Sequence, residues 1–215
     1  MSLDAHPTLD EIVELKAARA LDERALRTLF LEGRSANGFL DRPVPRPLLE
    51  RIVELAQLGP TSSNSLPMRV VFVESREAKE RLRPALSPGN LDKTMAAPVT
   101  AIIAADLRFY DHLPRTWPHR PEAREKFAAP ERTEVARQFA LTNATLQGAY
   151  FILAARAVGL DAGPMGGFDK VKVDAEFFSD GTLVSIFLVN LGYGDDSKVF
   201  RRLPRLPFDD VARFL

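Results

Sequence analysis

The stretch GPTSSNSLP, residues 59–67, carries five short polar side chains in a row: Thr61, Ser62, Ser63, Asn64 and Ser65. Hydroxyls both donate and accept hydrogen bonds, and a side-chain amide does the same through separate atoms. The apolar run RVVFV (69–73) that follows reads as a buried strand, and Gly59 reads as a helix stop. Joining the two needs only a turn. The loop is therefore either simply solvated or holds something polar. Other familiar chemistries are missing: no phosphate-binding P-loop, no G-x-S-x-G nucleophile elbow and no H-E-x-x-H zinc helix occurs. His6, His112 and His119 lack metal-ligand spacing, so no metal site is expected. GYGDDS (192–197) begins like a dinucleotide fingerprint but lacks the third glycine and a following apolar helix, and reads as a strand-ending turn.

Composition narrows the class further. The 215 residues suffice for one large domain, and 46% hydrophobic with 27% charged residues is ordinary for a globular protein. Lys plus Arg and Asp plus Glu are both 29, a balance that gives no support for a nucleic-acid or acidic-membrane partner. The absence of cysteine excludes disulfides, thiolate zinc sites and cysteine nucleophiles. The N-terminal stretch has no secretion-signal pattern, and the apolar stretch at 148–160 is short and carries Arg156. A cytoplasmic location without membrane partners is the expectation.

The elements that must position these groups follow from periodicity and caps. Thr8 and Glu11 have capping-box spacing, with a helical pattern to about residue 32. Residues 34–45 are turn-rich, and 47–59 read as a helix with Leu48, Ile52, Leu55 and Ala56 on one face. Strands are expected at about 69–74, 98–105 and 182–192, short helices after residue 76 and over about 171–178, and a long helix over 133–158. GNLDKTMAA (89–97) reads as a loop and a helical turn, GPMGGFD (163–169) as a Gly-rich loop, and 106–132 as irregular. Helices and strands mix without regular βαβ spacing, which predicts an α+β sandwich. The long helix is apolar on more than one side and is expected at the centre or at a subunit interface.

Four of these segments, in order, resemble the FMN-dependent nitroreductase family. RSANGF (34–39) resembles its arginine–serine phosphate motif, and GPTSSNSLP its Pro-Ser-Ser-x-Asn-x-Gln-Pro loop. Asn90 and Lys93 match its Asn-x-x-Lys pair, and GPMGGFD its Gly-Pro-x-x-Gly-Phe-Asp loop. Order and spacing agree from about residue 25 to 207, and the details look closest to the malonic semialdehyde reductase branch. The resemblance implies a three-layer α+β sandwich over residues 1–215 as a single FMN-binding domain. Its mixed, mainly antiparallel sheet would be flanked by helices, and its C-terminal segment exchanged within a homodimer.

Residue by residue, the resemblance assigns Arg34, Ser35, Asn37 and Arg205 to the FMN phosphate. A guanidinium offers that dianion a charge-assisted fork and a hydroxyl adds a donor. Pro60, Thr61, Ser62 and Asn64 would line the flavin from the partner subunit. Asn90 and Lys93 would meet the pyrimidine end of the ring, where reduction places negative charge. Pro164, Met165, Gly166 and Gly167 would bring backbone close to the N5 edge, as glycine permits. The chain departs from the family in having Gly33, Ser35 and Asn37 in place of Arg-x-Ser-x-Arg/Lys, with Arg34 its one arginine there, and Leu66 and Met68 in place of glutamine and tryptophan. NAD(P)H would be the reductant and malonic semialdehyde the small-molecule substrate. Nitroaromatics or quinones are the second acceptor class, and a flavin-binding or flavin-processing protein without pyridine-nucleotide turnover is the reading of another class. No side chain is assigned catalytic proton transfer. Residues 106–127, with Phe109, Tyr110, Trp117, Arg115, His119 and Arg120, form either a substrate-selecting lid or a packing loop.

Overall fold

The computed structural model describes residues 13, 14, 16 and 19–215, so the capping box expected at Thr8 and Glu11 lies outside the described residues. The chain divides into two compact units, 1–33 and 34–215. In the first, the helical pattern breaks at Asp22, whose carboxylate accepts from the Ala25 N–H at 2.7 Å. A helical turn, Glu23–Leu26, follows and widens into a π-type turn at Arg27–Leu31.

The second unit is built on four antiparallel strands. Helix α1 (Arg46–Gln57) opens on Pro47, whose fixed φ suits a first turn, and buries Leu49, Ile52 and Ala56. Leu49, not Leu48 or Leu55, completes the buried face; the latter two are half-buried beside it. Strand β1 (Met68–Val73) is followed by α2 (Arg76–Leu82), which Ser75 caps by accepting from the Ala78 N–H at 3.1 Å. Helix α3 (Pro88–Ala96) extends the helical turn expected there back over the stretch that read as loop; its proline sits in the first turn, where no backbone donor is needed. Strand β2 (Val99–Asp106), buried throughout, leads to the segment ending at α4 (Thr133–Ala157). Strand β3 (Asp161–Met165) includes the Gly-Pro-Met that read as loop, then come α5 (Lys170–Phe177) and β4 (Leu183–Gly192).

The strand order is β1-β2-β4-β3, so β1 and β3 are the edges. On β2 the side chains alternate: Ala101, Ile103 and Ala105 join the core with α1 and α4, while Ile102 and Ala104 join the core with Leu82 of α2 and Val173 of α5. That makes a three-layer α+β sandwich. Helix α4 approaches the sheet closely through Ala140, Ala144 and Gly148; a Cβ on Gly148 would stand 2.6 Å from Phe187. Its other side leaves Val135 and Leu146 each 49% exposed.

Residues 107–132 are more ordered than expected. Short helices at Leu113–Thr116 and Ala123–Ala128 surround Phe109, which is fully buried with ring centroids 5.0 Å from Phe127 and 5.2 Å from Phe139. After Gly192 the chain runs out with Phe200, Leu203, Leu206 and Phe208 exposed.

Candidate functional site

The residues singled out in the sequence fall into two sets. The first lies along β3. The Ala36 N–H donates to the Ala162 carbonyl at 3.0 Å, and Ser35 bridges Ala162 in parallel, so 34–37 run beside the edge strand. Gly163 permits this: a Cβ there would stand 2.4 Å from the Ala36 oxygen. Lys93 Nζ donates to Asn37 Oδ1 at 3.5 Å, which brings the α3 cation to the same segment. Asn90 Nδ2 donates to the Gly167 carbonyl at 2.8 Å, and a Cβ on Gly167 would reach within 2.5 Å of that nitrogen. Contacts thus link Ser35, Asn37 and Lys93 in one group and Asn90 with Gly167 in another, and α3 carries both Asn90 and Lys93.

Beneath them lies a polar chain that sequence reasoning missed. Lys79 on α2 is only 4% exposed and donates to the Thr94 carbonyl at 2.8 Å and to Thr100 Oγ1 at 2.6 Å. Thr100 Oγ1 donates to Asn190 Oδ1 at 2.7 Å, Asn190 Nδ2 to Thr94 Oγ1 at 3.2 Å, and Thr94 Oγ1 to Met165 Sδ at 3.4 Å. Burial alone pushes the Lys79 ammonium down from 10.5 to about 8. Lys79 shares the inner face of a short, charge-rich helix with Leu82, and a lysine there gave no sign in sequence that it would be buried.

The tail contributes cations. The Arg202 guanidinium is held below its ordinary pKa first by burial and then by the charges of Arg34 and Arg205. Arg34 and Arg205 were expected there; Arg202, three residues before Arg205, was not. The charges of Arg34 and Arg205 are thus both felt at Arg202, and Arg205 Nη1 donates to the Leu203 and Pro204 carbonyls at 3.0 and 3.3 Å. Pro164, Met165 and Gly166 line a mostly apolar recess of about 390 Å³ with Ala149, Ile152 and Phe187, a surface suited to a flat ring.

The second set is the loop before β1. Its backbone takes positive φ at Ser63 (57°), Asn64 (46°) and Leu66 (43°), costing about 1 kcal/mol or more each. Side chains hold it there. The Ser62 N–H donates to Asn143 Oδ1 at 2.7 Å, Asn64 Nδ2 to the Thr116 carbonyl at 2.7 Å, and the Leu66 N–H to Thr61 Oγ1 at 3.2 Å. Asn143 on α4 is a residue that the sequence reading missed, because its periodicity there looked only apolar. The loop is not merely solvated, and it presents Pro60, Ser62 and Asn64 at the surface.

These two sets sit at opposite edges of the sheet. Three strand spacings separate β1 from β3, about 14 Å. Met68 pairs with Ala105, whereas Met165 pairs through Leu188 with Ile102, which adds about 10 Å along the strands. Among the described residues no cluster of three or more His, Asp or Glu side chains could hold a metal, and no helix is long and apolar enough to cross a membrane.

A sandwich of this topology with glycine, amide and ammonium groups gathered at one edge defines a class, and the comparisons agree with it. Residues 32–193 match the Nitroreductase family, and the chain belongs to that family. Among its relatives is a "Putative NADH dehydrogenase/NAD(P)H nitroreductase" of Stenotrophomonas maltophilia (strain R551-3), 56% identical over 196 residues, covering 91% of this chain and 98% of the relative. A relative of the same description from Ralstonia pickettii, HadB, is 52% identical over 188 residues, covering 87% of this chain and 96% of its own. A "putative nitroreductase ydfN" of Bacillus subtilis has a similar fold, with a TM-score of 0.80 at 22% identity over 90% of this chain and all of that one. So has a nitroreductase solved in complex with FMN from Exiguobacterium sibiricum, with a TM-score of 0.76 at 21% identity, covering 91% and 98%.

Proposed function

We propose that this chain is an FMN-dependent NAD(P)H oxidoreductase that acts as a homodimer and reduces malonic semialdehyde to 3-hydroxypropionate. The residues present fit FMN: three guanidiniums for a phosphate dianion, an apolar recess for a ring, and an amide, an ammonium and backbone at close-approach glycines for its polar edge. Arg34 precedes Asn37 by three residues, at most about 10 Å of extended chain. That is the scale of a ribityl phosphate between the arginines and the Lys93 end. When bound, FMN supplies hydride transfer from NAD(P)H to an acceptor.

The chain's own part is positioning and electrostatics. Arg34, Arg202 and Arg205 hold the phosphate, with Ser35 and Asn37 as neutral donors. Lys93 and Asn90 hold the ring edge that gains negative charge, and Gly166 and Gly167 let backbone reach the other edge. Pro60, Thr61, Ser62 and Asn64 come from the second copy and close over the ring. The observation that carries this reading is the separation of the two sets across the sheet, because one ring touches both only if two chains meet. The exposed Phe200, Leu203 and Leu206 of the tail suit exchange onto that second copy. The aldehyde takes up one hydride and, from water, one proton, while NAD(P)H becomes NAD(P)⁺. The names of the relatives favour nitroaromatics as a second acceptor class.

The test is direct. The purified protein should be yellow, with absorption near about 450 nm from released FMN. Malonic semialdehyde should accelerate its NAD(P)H oxidation with 3-hydroxypropionate formed in equal amount. Bound FMN without acceptor-dependent oxidation would leave a flavin-binding protein instead. Rapid turnover of nitrofurazone or menadione but not of the semialdehyde would move the acceptor to the second class.

A further inference from the structure

A second cavity, of about 390 Å³, lies between the end of α1, the start of β1 and the segment after β2, lined by Arg115, His112 and Ser65 together with Val53, Leu66 and Met68. No carboxylate lines it. Arg69, also at its wall, is already engaged: its Nη2 donates to Asp106 Oδ2 at 2.5 Å and its Nη1 to the Leu66 and Met68 carbonyls at 2.9 Å. His112 Nε2 lies 3.6 Å from the same Asp106 oxygen. The Arg115 guanidinium differs: it is exposed and has no hydrogen-bond or ion-pair partner among the described residues. The Ser65 hydroxyl is fully buried at this wall and has no partner either. A buried hydroxyl without a partner is costly, and a bound acceptor relieves it. A cation, a hydroxyl and aliphatic side chains lining one cavity, beside the polar Gln57, Thr116 and Gln147, suit a carboxylate attached to a short carbon chain, rather than a bare inorganic anion.

We propose that this cavity is the carboxylate subsite for an acidic acceptor, a short oxo acid held by Arg115 and Ser65 with its carbons against Val53, Leu66 and Met68. The proposal rests on the oxidoreductase reading above and adds to it what selects the acceptor. The place is apt: Arg115 precedes Thr116, whose carbonyl holds Asn64, and Ser65 and Leu66 directly follow Asn64. An acid anchored here lies against the loop that covers the partner's ring. The departures from the family at Leu66 and Met68 are both in this wall, so they make the aliphatic side of the subsite.

Trp117, the only tryptophan, stands two residues from Arg115 and reports binding without any turnover. Malonate, an acid that cannot be reduced, is titrated into the holoprotein while Trp117 emission is followed. Saturable binding is expected. Arg115→Met should weaken it by about 10–100-fold, the range for a lost charged hydrogen bond. Arg115→Lys should restore part of it, and Ser65→Ala should weaken it by about 5-fold. In turnover, Arg115→Met should lower the ratio of kcat/KM for malonic semialdehyde to that for menadione by the same factor as malonate binding. Lack of malonate binding to the wild type, or equal affinity in Arg115→Met, overturns the proposal. So does displacement by phosphate at equal concentration, which would make this a general anion site. Failure of the oxidoreductase reading shows separately, as no NAD(P)H oxidation with either acceptor.

Discussion

The two halves of the candidate site are held in opposite ways. Along β3, residues 34–37 are fixed by backbone pairing to Ala162, and α3 is fastened to Gly167 by Asn90 and to Met165 by Thr94. Its backbone is relaxed and its charge is positive, from Lys93 and the arginines. Before β1, the loop is neutral, takes three left-handed residues, and is held by Asn143 of α4 and by the Thr116 carbonyl. Backbone pairing of 34–37 and the fastening of α3 would suit the charged half to an anion, because charges stabilise one best when they need not reorganise. The neutral half stores strain, which persists where the surroundings over-determine it. In the proposed dimer, a site divided so would give the ionic contacts to one chain and the covering contacts to another.

The largest effect expected from this division is complementation. Arg34→Met damages the β3 half and Asn64→Ala the loop half. Each homodimer should bind FMN weakly enough to lose most of it on gel filtration, though excess FMN loads it. Subunits mixed at random from the two variants should form about half heterodimers, each with one site broken twice and one intact. About a quarter of all sites should then recover FMN. That fraction follows from closed twofold assembly, in which each site takes its halves from different chains. Flavin content per chain after co-refolding or co-expression measures it. No recovery would place both halves in one chain and refute the division.

How much of this was legible in the sequence depends on what fixed each part. Short local patterns carried the edges: the polar run at 61–65, the Gly-Gly at 166–167 and the Asn90/Lys93 spacing all lie in the two sets of contacts that the proposed site would join. The α+β sandwich followed from irregular alternation of helices and strands. The misses share a cause. Asn143, Arg202 and Lys79 matter through partners 81, 168 and 21 residues away (Ser62, Arg34 and Thr100), and no local window contains both ends. GPM read as loop because its proline and glycine are poor strand formers, but β3 is an edge strand, and Gly163 is needed for the approach of Ala36. Residues 107–132 read as irregular because their many prolines hide a packing centre, Phe109, that gathers rings from two helices.

The β3 half also rests on a buried ammonium, and this has a pH signature. Lys79 has its folded pKa lowered to about 8 from 10.5, by burial and by no neighbouring charge. Below pH about 8 it is protonated both folded and unfolded, and its burial penalty is fully present. Between about 8 and 10.5 the unfolded chain binds more protons than the folded one, so stability rises with pH. Going from pH 7 to pH 9.5 should therefore stabilise the wild type by about 2 kcal/mol more than Lys79→Met, taking about 1.4 kcal/mol per pKa unit. Urea unfolding at both pH values measures the difference. Parallel pH dependence in the two proteins would mean that the ammonium keeps its ordinary pKa in the fold. The neutral loop half has no such group, so Asn143→Ala should shift stability equally at both pH values.

The smallest effect concerns Lys93, the cation of the β3 half nearest the ring edge in the proposed complex. It is half-buried, with its ammonium 3.5 Å from Asn37 Oδ1, so water screens it in part. A charge pair at about 4 Å in such a setting is worth roughly 1–2 kcal/mol, between the bulk-water and surface values. For a two-electron couple about 1.4 kcal/mol corresponds to about 30 mV. Lys93→Met removes the charge while keeping most of the side chain's length. The midpoint potential of bound FMN should fall by about 20–40 mV, because the lysine's partner charge exists only in the reduced form. Oxidised FMN should bind nearly as well as before. Asn64→Ala, on the neutral half, should weaken FMN binding in both oxidation states alike and leave the potential in place. Dye-linked titration of the two flavin-loaded variants against wild type separates these outcomes. A potential that moves with Asn64 and stays fixed with Lys93 would reverse the assignment of charge between the halves.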